Sequence, residues 1–201
     1  EGTNGNYSDT LASFRVSEFK LPTQRASIRV ADGELIQPEN VAVQVQVSYL
    51  SGGNAGGQAV KLRGKMESKP VRFADYEGFN FANGDLHANL LALKTPTEQI
   101  PEIYAKQEEP LLETQSFSLD KQGGAKVRFS HLPKLTKPYQ ILAELEYKDA
   151  NGEVSTHAQA LNIWSAGVLV GMKLDSWLGS GKETPFTVVV LDLNGKPKAG
   201  V

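Results

Sequence analysis

The chain has 201 residues, 40% of them hydrophobic and 22% charged, with a formal net charge of −2 and no cysteine. That length buries a real core, and the composition is that of a folded protein rather than a disordered one. Without cysteine there is no disulfide, thioester, thiolate nucleophile or cysteine-ligated zinc, and Lys and Arg are scattered singly, with no run of the kind that grips nucleic acid.

In chain order, the opening Glu1-Gly-Thr-Asn-Gly-Asn-Tyr7 lacks an initiator Met, a basic leader and an apolar leader core, and reads as a cut inside a longer chain; the closing residues read the same way. Residues 14–22 alternate as an extended linker. Then period two takes over. Val41-Ala-Val-Gln-Val-Gln-Val-Ser-Tyr49 puts valines on one face and polar groups on the other, as a half-solvated strand requires. The same pattern recurs at 27–30, 59–63, 115–119, 125–129, 139–147 and 159–163. Turn chemistry separates these runs: Ala31-Asp-Gly33, the glycine-rich 51–57, Asp120-Lys-Gln-Gly-Gly124 and Asp149-Ala-Asn-Gly-Glu153. The spacing predicts an all-β, seven-stranded antiparallel sandwich of the fibronectin-III-like kind, with Val43, Val45, Val47, Leu119, Phe129, Ile141, Ala143 and Leu145 facing inward. No amphipathic helix is evident.

Two stretches break the rhythm. Residues 67–111 form a long connection, and a connection of that length is usually functional or mobile. After Trp164, residues 167–173 and 185–192 open a fresh strand series, followed by Asp192-Leu-Asn-Gly195. Too few residues remain for a second sandwich, so these read as its first strands. The predicted division is therefore the end of a preceding domain and a linker at 1–21, a sandwich at 22–164 with its insert at 67–111, and the start of the next domain at 165–201.

Motifs with catalytic overtones do not hold together. Ser17-Glu-Phe-Lys20 fits the Ser-x-x-Lys of penicillin-acylating enzymes. Its segment alternates like a strand, where positions three apart point to opposite faces, and no Ser-Asp-Asn or Lys-Thr-Gly accompanies it. The glycines at 51–57, and Gly179-Ser-Gly-Lys182, lack a phosphate-loop ending with a following helix. His87, His131 and His157 share no ligand spacing, and the acidic residues from Glu98 to Glu109 read as a solvated charge run rather than a calcium loop. Asn6-Tyr-Ser8 is a formal glycosylation sequon read as coincidence. No catalytic, cofactor or metal residue is assigned.

One segment carries a sharper expectation. Phe73, Tyr76, Phe79 and Phe81 crowd into Phe73-Ala-Asp-Tyr-Glu-Gly-Phe-Asn-Phe81. Exposed, they would form an interaction patch; folded back, they would cover the sandwich or fill its junction with a neighbour. The favoured reading is folding back, which makes these four rings and Trp164 candidate interdomain or partner contacts.

The order of several segments resembles the bacterial alpha-2-macroglobulin family. Phe14-Arg-Val-Ser-Glu-Phe-Lys-Leu-Pro22 is similar to the entry into an early macroglobulin domain of that family. Tyr49-Leu-Ser-Gly-Gly53 with Ala59-Val60 resembles its strand-turn-strand. Phe73 to Phe81 is similar to an aromatic insert of the bacterial branch, and Leu132-Pro133, Lys137-Pro-Tyr139 and Asn151-Gly-Glu-Val-Ser155 resemble the closing strands. Val170-Gly-Met-Lys173 and Val188 to Pro197 look like the start of the next macroglobulin domain. The pattern departs at Glu153, where the family often has Arg.

The resemblance implies a structural, non-enzymatic scaffold module of a protease inhibitor. Relatives of this kind are periplasmic, and many are lipoproteins anchored to the inner membrane. They string macroglobulin domains around a cleavable bait, often with a Cys-x-Glu-Gln thioester, and trap the protease that cuts it in cell-envelope defence. The implied partners are neighbouring macroglobulin domains, target proteases through the full-length protein and, for some members, a penicillin-binding protein. No nucleic acid partner is expected. The rival readings are a stand-alone fibronectin-like module binding a protein or carbohydrate, and an enzyme for which no nucleophile–base pair is present.

Overall fold

The computed structural model describes residues 22–30, 33–81, 110–149, 151–174 and 185–200. Alternation in the sequence becomes alternation in burial. In β3 (Val41–Tyr49), the four valines at 41, 43, 45 and 47 are at most 1% exposed, while Gln44 between them is solvated. Two flanking strands satisfy its backbone: β1 (Gln24–Val30), with Ile28 opposite Val45, and β6 (Gly124–Phe129), with Val127 opposite Val43. These three form one antiparallel sheet in the order β1-β3-β6.

The opposing sheet has five strands in the order β2-β8-β7-β4-β5. They are β2 (Leu35–Ile36), β4 (Ala59–Ser68), β5 (Leu111–Ser118), β7 (Tyr139–Lys148) and β8 (Val154–Trp164). All pairings are antiparallel except β2 with β8, where Leu35 and Ile36 run parallel to Ile163 and Trp164. Ile141, Ala143 and Leu145 of β7 and Leu62 and Met66 of β4 meet the valines of β3 in one core. Each buried Val, Leu, Ile or Met side chain here contributes about 1.5–3 kcal/mol. The fold is an all-β sandwich, three strands on five, and every residue expected to face inward does so.

All seven expected strands form, and β2 adds an eighth too short to show a period. Several strands run further than expected: β1, β5 and β8 begin earlier and β4 ends later. β4 does not stop at Arg63 but passes a bulge between Leu62 and Gly64 and continues to Ser68. Gly64 is there for room: a β-carbon would lie 2.7 Å from Cε1 of the fully buried Phe129. A lone glycine inside a strand marks such a close approach.

Past the sandwich, β9 (Leu169–Leu174) and β10 (Phe186–Leu191) pair as an antiparallel two-stranded ribbon. One of its faces carries Val170, Met172, Leu174, Phe186 and Val188, all at least half exposed or nearly so. The other face is buried against the insert.

Three turns share one chemistry. In Asp120–Gly124, Asp149–Glu153 and Asp192–Lys196, the aspartate Oδ1 accepts from the backbone amides two and four residues on, at 2.8–3.0 Å. The aspartate carbonyl also accepts from the glycine three residues on, which sits at positive φ: Gly123 at 73°, Gly152 at 79° and Gly195 at 84°. Aspartate supplies a backbone-mimicking acceptor and glycine the left-handed conformation.

Among the described residues, no helix is long and apolar enough to cross a membrane.

Candidate functional site

The chain leaves β4 at Ser68 and tightens into a single 3₁₀ turn, Ala74–Tyr76. Tyr76 N–H donates to the Phe73 carbonyl at 3.1 Å and Phe79 N–H to the Tyr76 carbonyl at 3.2 Å, with Gly78 at φ 84° between them. This winding throws four rings to one side. Phe73 and Phe81 meet edge to face at 5.2 Å, Tyr76 and Phe79 at 5.8 Å, and Tyr76 and Phe81 at 6.4 Å. Edge-to-face contacts of this kind contribute about 0.5–1.5 kcal/mol beyond burial.

The rings close over the ribbon. Phe81, Trp164, Leu169, Leu191 and Leu193 are buried together, with Val71, Phe73, Tyr76, Phe79 and Val189 half-buried around them. Asn80 pairs with Met172 through both backbone bonds, at 2.8 and 3.0 Å, so the insert lies beside β9 as a one-residue third strand. Two glycines make the seats. A β-carbon at Gly171 would lie 2.4 Å from Phe81 Cε1, and one at Gly195 would lie 2.5 Å from Phe73 Cδ1. Cations cap the cluster: Lys173 Nζ stands 5.8 Å from the Phe79 ring centre and Lys69 Nζ 5.8 Å from that of Trp164.

Gln37 fixes the strand end that delivers Trp164. Its N–H donates to the Trp164 carbonyl at 2.8 Å, and its Nε2 to the carbonyls of Leu135 at 2.6 Å and Ser165 at 2.9 Å. Its Oε1 accepts from Leu135 N–H at 3.0 Å. A non-glycine residue at φ 45° is uncommon, and here the side chain over-determines it. At the far end of the ribbon, the Lys196 amide holds the Asp192 carboxyl below its ordinary 3.8; the Asn194 amide and the Lys196 and Lys198 charges add to this against desolvation.

The structure thus places Phe73, Tyr76, Phe79, Phe81 and Trp164 in one cluster. Sequence reasoning missed Gly171, Gly195, Leu191 and Leu193; the isolated glycine inside a strand pattern at Gly171 was the available signal. His131 is exposed and His157 half-buried, and no group of three potential metal ligands occurs among the described residues. Ser17, Lys20, His87, Glu98 to Glu109 and Gly179 to Lys182 lie outside the described residues.

No protein-family model matches the chain. No curated protein matches it either. Solved structures do. The native conformation of Escherichia coli alpha-2-macroglobulin is similar over 90% of this chain at 19% identity and TM-score 0.63. Salmonella alpha-2-macroglobulin reacted with methylamine is similar over 96% at 18% and 0.64. Escherichia coli alpha-2-macroglobulin activated by porcine elastase is similar over 88% at 20% and 0.62. The chain spans only 11–15% of the length of these structures. The fold of this chain is that of one short stretch of a bacterial alpha-2-macroglobulin.

Proposed function

We propose that the chain is a scaffold module of a bacterial alpha-2-macroglobulin, and that the aromatic insert is the joint between its sandwich and the next one. The observation that carries this is the extent of the structural likeness. At 96% of the chain it takes in the ribbon as well as the sandwich, so the whole succession of elements has its counterpart.

On this reading residues 22–164 are one macroglobulin domain, with 1–21 leading in, and the ribbon from residue 165 on opens the next. The far face of the ribbon supports that division, because Val170, Met172, Leu174, Phe186 and Val188 form the apolar side an opposing sheet covers. The role of Phe73, Tyr76, Phe79, Phe81 and Trp164 is mechanical. Rings seated on glycines fix the angle between two rigid bodies, and the Gln37 clamp holds the linker between them. The parent protein is a periplasmic inhibitor that traps proteases, with neighbouring domains as this module's direct partners and proteases and a penicillin-binding protein as partners of the whole. The module itself performs no chemistry.

The test compares the chain with its parent. The 201-residue chain leaves digestion of a protein substrate by trypsin or elastase unchanged and is not acylated by penicillin, with Ser17→Ala indistinguishable from wild type. The full-length parent suppresses the same digestion. Inhibition or acylation by the chain alone overturns the scaffold reading, and a parent that inhibits nothing overturns the family reading.

A further inference from the structure

The two outer faces of the sandwich handle charge in opposite ways. On the five-stranded sheet every strand-borne cation of β4 has a carboxylate: Lys61 pairs with Glu146, Arg63 with Glu144 and Glu146, and Lys65 with Glu67. The three-stranded sheet presents Arg25, Ser27 and Arg29 from β1, Ala42, Gln44, Gln46 and Ser48 from β3, and Lys126 and Arg128 from β6. No carboxylate belongs to this set. Arg25, Arg29, Lys126 and Arg128 are all exposed and make no ion pair among the described residues. The Asp120 carboxylate, at the β5–β6 turn, is engaged by the amides of Gln122 and Gly124. A chain of net charge −2 thus carries, on one sheet face, four cations with no ion-pair partner among the described residues.

Register arranges them. Arg29, Gln44 and Lys126 lie in one row across the three strands, and Ala42 lies beside Arg128 in the next. With strands about 4.8 Å apart and residues rising about 3.4 Å each, Arg29 and Lys126 stand on strands roughly 10 Å apart, and Arg25 and Arg29 are roughly 13 Å apart along β1. Between the two β1 arginines runs an open trough of about 490 Å³, floored by Ser27, Gln44, Gln46 and Ser48.

From this we infer that the outer face of the β1-β3-β6 sheet binds a linear anionic polysaccharide. Cations at the rim match carboxylates or sulfates, and the hydroxyls and amides of the floor match sugar hydroxyls. The lining argues against other polyanions. A stable protein interface has an apolar, aromatic core, membrane docking adds an apolar face, and single-stranded nucleic acid needs rings on which bases stack. Apart from the methyl of Ala42, the described strand residues of this face offer none of these.

The experiment measures binding of the full chain to a heparin fragment and to a polyuronate, with neutral dextran as control, at low and physiological salt. Both acidic polymers are expected to bind and dextran not, with affinity falling as salt rises. Removing a surface cation costs about five-fold, so Arg25→Gln with Arg29→Gln is expected to weaken binding roughly 30-fold, and Lys126→Gln with Arg128→Gln by a similar factor. Lys61→Gln with Arg63→Gln changes net charge equally on the other sheet and is expected to leave affinity within about two-fold. Thermal melts of all variants establish that each remains folded. The inference is overturned if neither acidic polymer binds, if both cation pairs on the three-stranded sheet are dispensable, or if the Lys61/Arg63 pair matters as much. Binding to phosphatidylglycerol vesicles in place of the polymers overturns it in favour of a lipid surface.

Discussion

Phe81 lies across Gly171 so closely that the glycine cannot carry a side chain: a β-carbon would meet Cε1, Cζ and Cδ1 of the ring at 2.4, 2.7 and 2.9 Å. Phe81 is only 3% exposed, and its ring has Phe73, Tyr76 and Phe79 on its other sides. Gly171→Ala is therefore expected to undock the ribbon at a cost of about 1–3 kcal/mol, the usual cost of overpacking. Hydrogen exchange reads it: amides of β9 and β10 exchange faster while Val41–Val47 keep wild-type protection. Uniform loss of protection across both would show that ribbon and sandwich unfold as one unit.

Phe79→Ala with Phe81→Ala empties the same seat from the opposite side. Loss of a buried phenylalanine costs about 3–5 kcal/mol, with the half-buried Phe79 contributing less. Combined with Gly171→Ala, the effects are expected to be far from additive, because both perturb one contact. A triple variant as destabilised as the summed parts, measured by urea unfolding, would mean that the rings and the glycine are energetically separate.

Within the sandwich, Gly64→Ala drives a β-carbon into Phe129. The expected loss is about 1–3 kcal/mol in thermal or urea unfolding. Adding Phe129→Leu is expected to recover part of it by removing the ring carbons in the way. No recovery would trace the effect to the bulge backbone instead.

Gln37→Ala removes three side-chain hydrogen bonds and leaves Leu135 N–H without its acceptor, at about 1–3 kcal/mol for an unsatisfied buried group. Gln37→Gly keeps the loss but relieves the positive φ, so it is expected to be milder. If the glycine variant is the worse of the two in urea unfolding, the backbone conformation at residue 37 is not strained.

Asp192 supplies a pH dependence. Its folded pKa is depressed below 3.8 chiefly by the Lys196 amide, so its contribution is fully present above that value and fades as pH falls through the folded pKa. Carboxyl carbon shifts are expected to report titration below 3.8, and Asp192→Asn, which retains an acceptor, is expected to flatten acid sensitivity at the ribbon turn. A titration at or above the ordinary value would refute the amide contacts.

Burial periodicity made the sandwich legible because its strands are half-solvated: each valine of β3 and each core residue of β7 had a polar neighbour to mark its face. The signal failed where that contrast was missing. The first half of β8, Val154 to Ala158, reaches past the core, with Val154 61% exposed, so no apolar stripe announced it. The aromatic cluster could be read as something that folds back, since four rings in a polar connection need burial. Its seat could not, because Gly171 and Gly195 define it by absent side chains nearly a hundred residues or more from Phe81 and Phe73. The cationic face was invisible for a related reason. Arg25, Arg29, Lys126 and Arg128 are scattered in sequence and converge only through strand pairing.

The Asp-x-x-Gly turns also bear on how the chain folds, because their contacts are local in sequence. The Asp149–Glu153 turn closes through four hydrogen bonds donated by its own backbone amides, and the β7–β8 hairpin it joins pairs ten residues on each strand. Such a hairpin forms in about 1–10 μs without help from distant chain. β4 adds to β7 only after the chain has looped back across the entire insert, β5 and β6, and β1–β3 must find β6 over a comparable distance. The β7–β8 hairpin is therefore expected to gain protection ahead of β4 in pulse-labelled hydrogen exchange during refolding. The Asp192–Lys196 turn holds Lys198 N–H against the Val190 carbonyl in the same self-contained way, so the end of β10 is tied down by contacts within a few residues of itself.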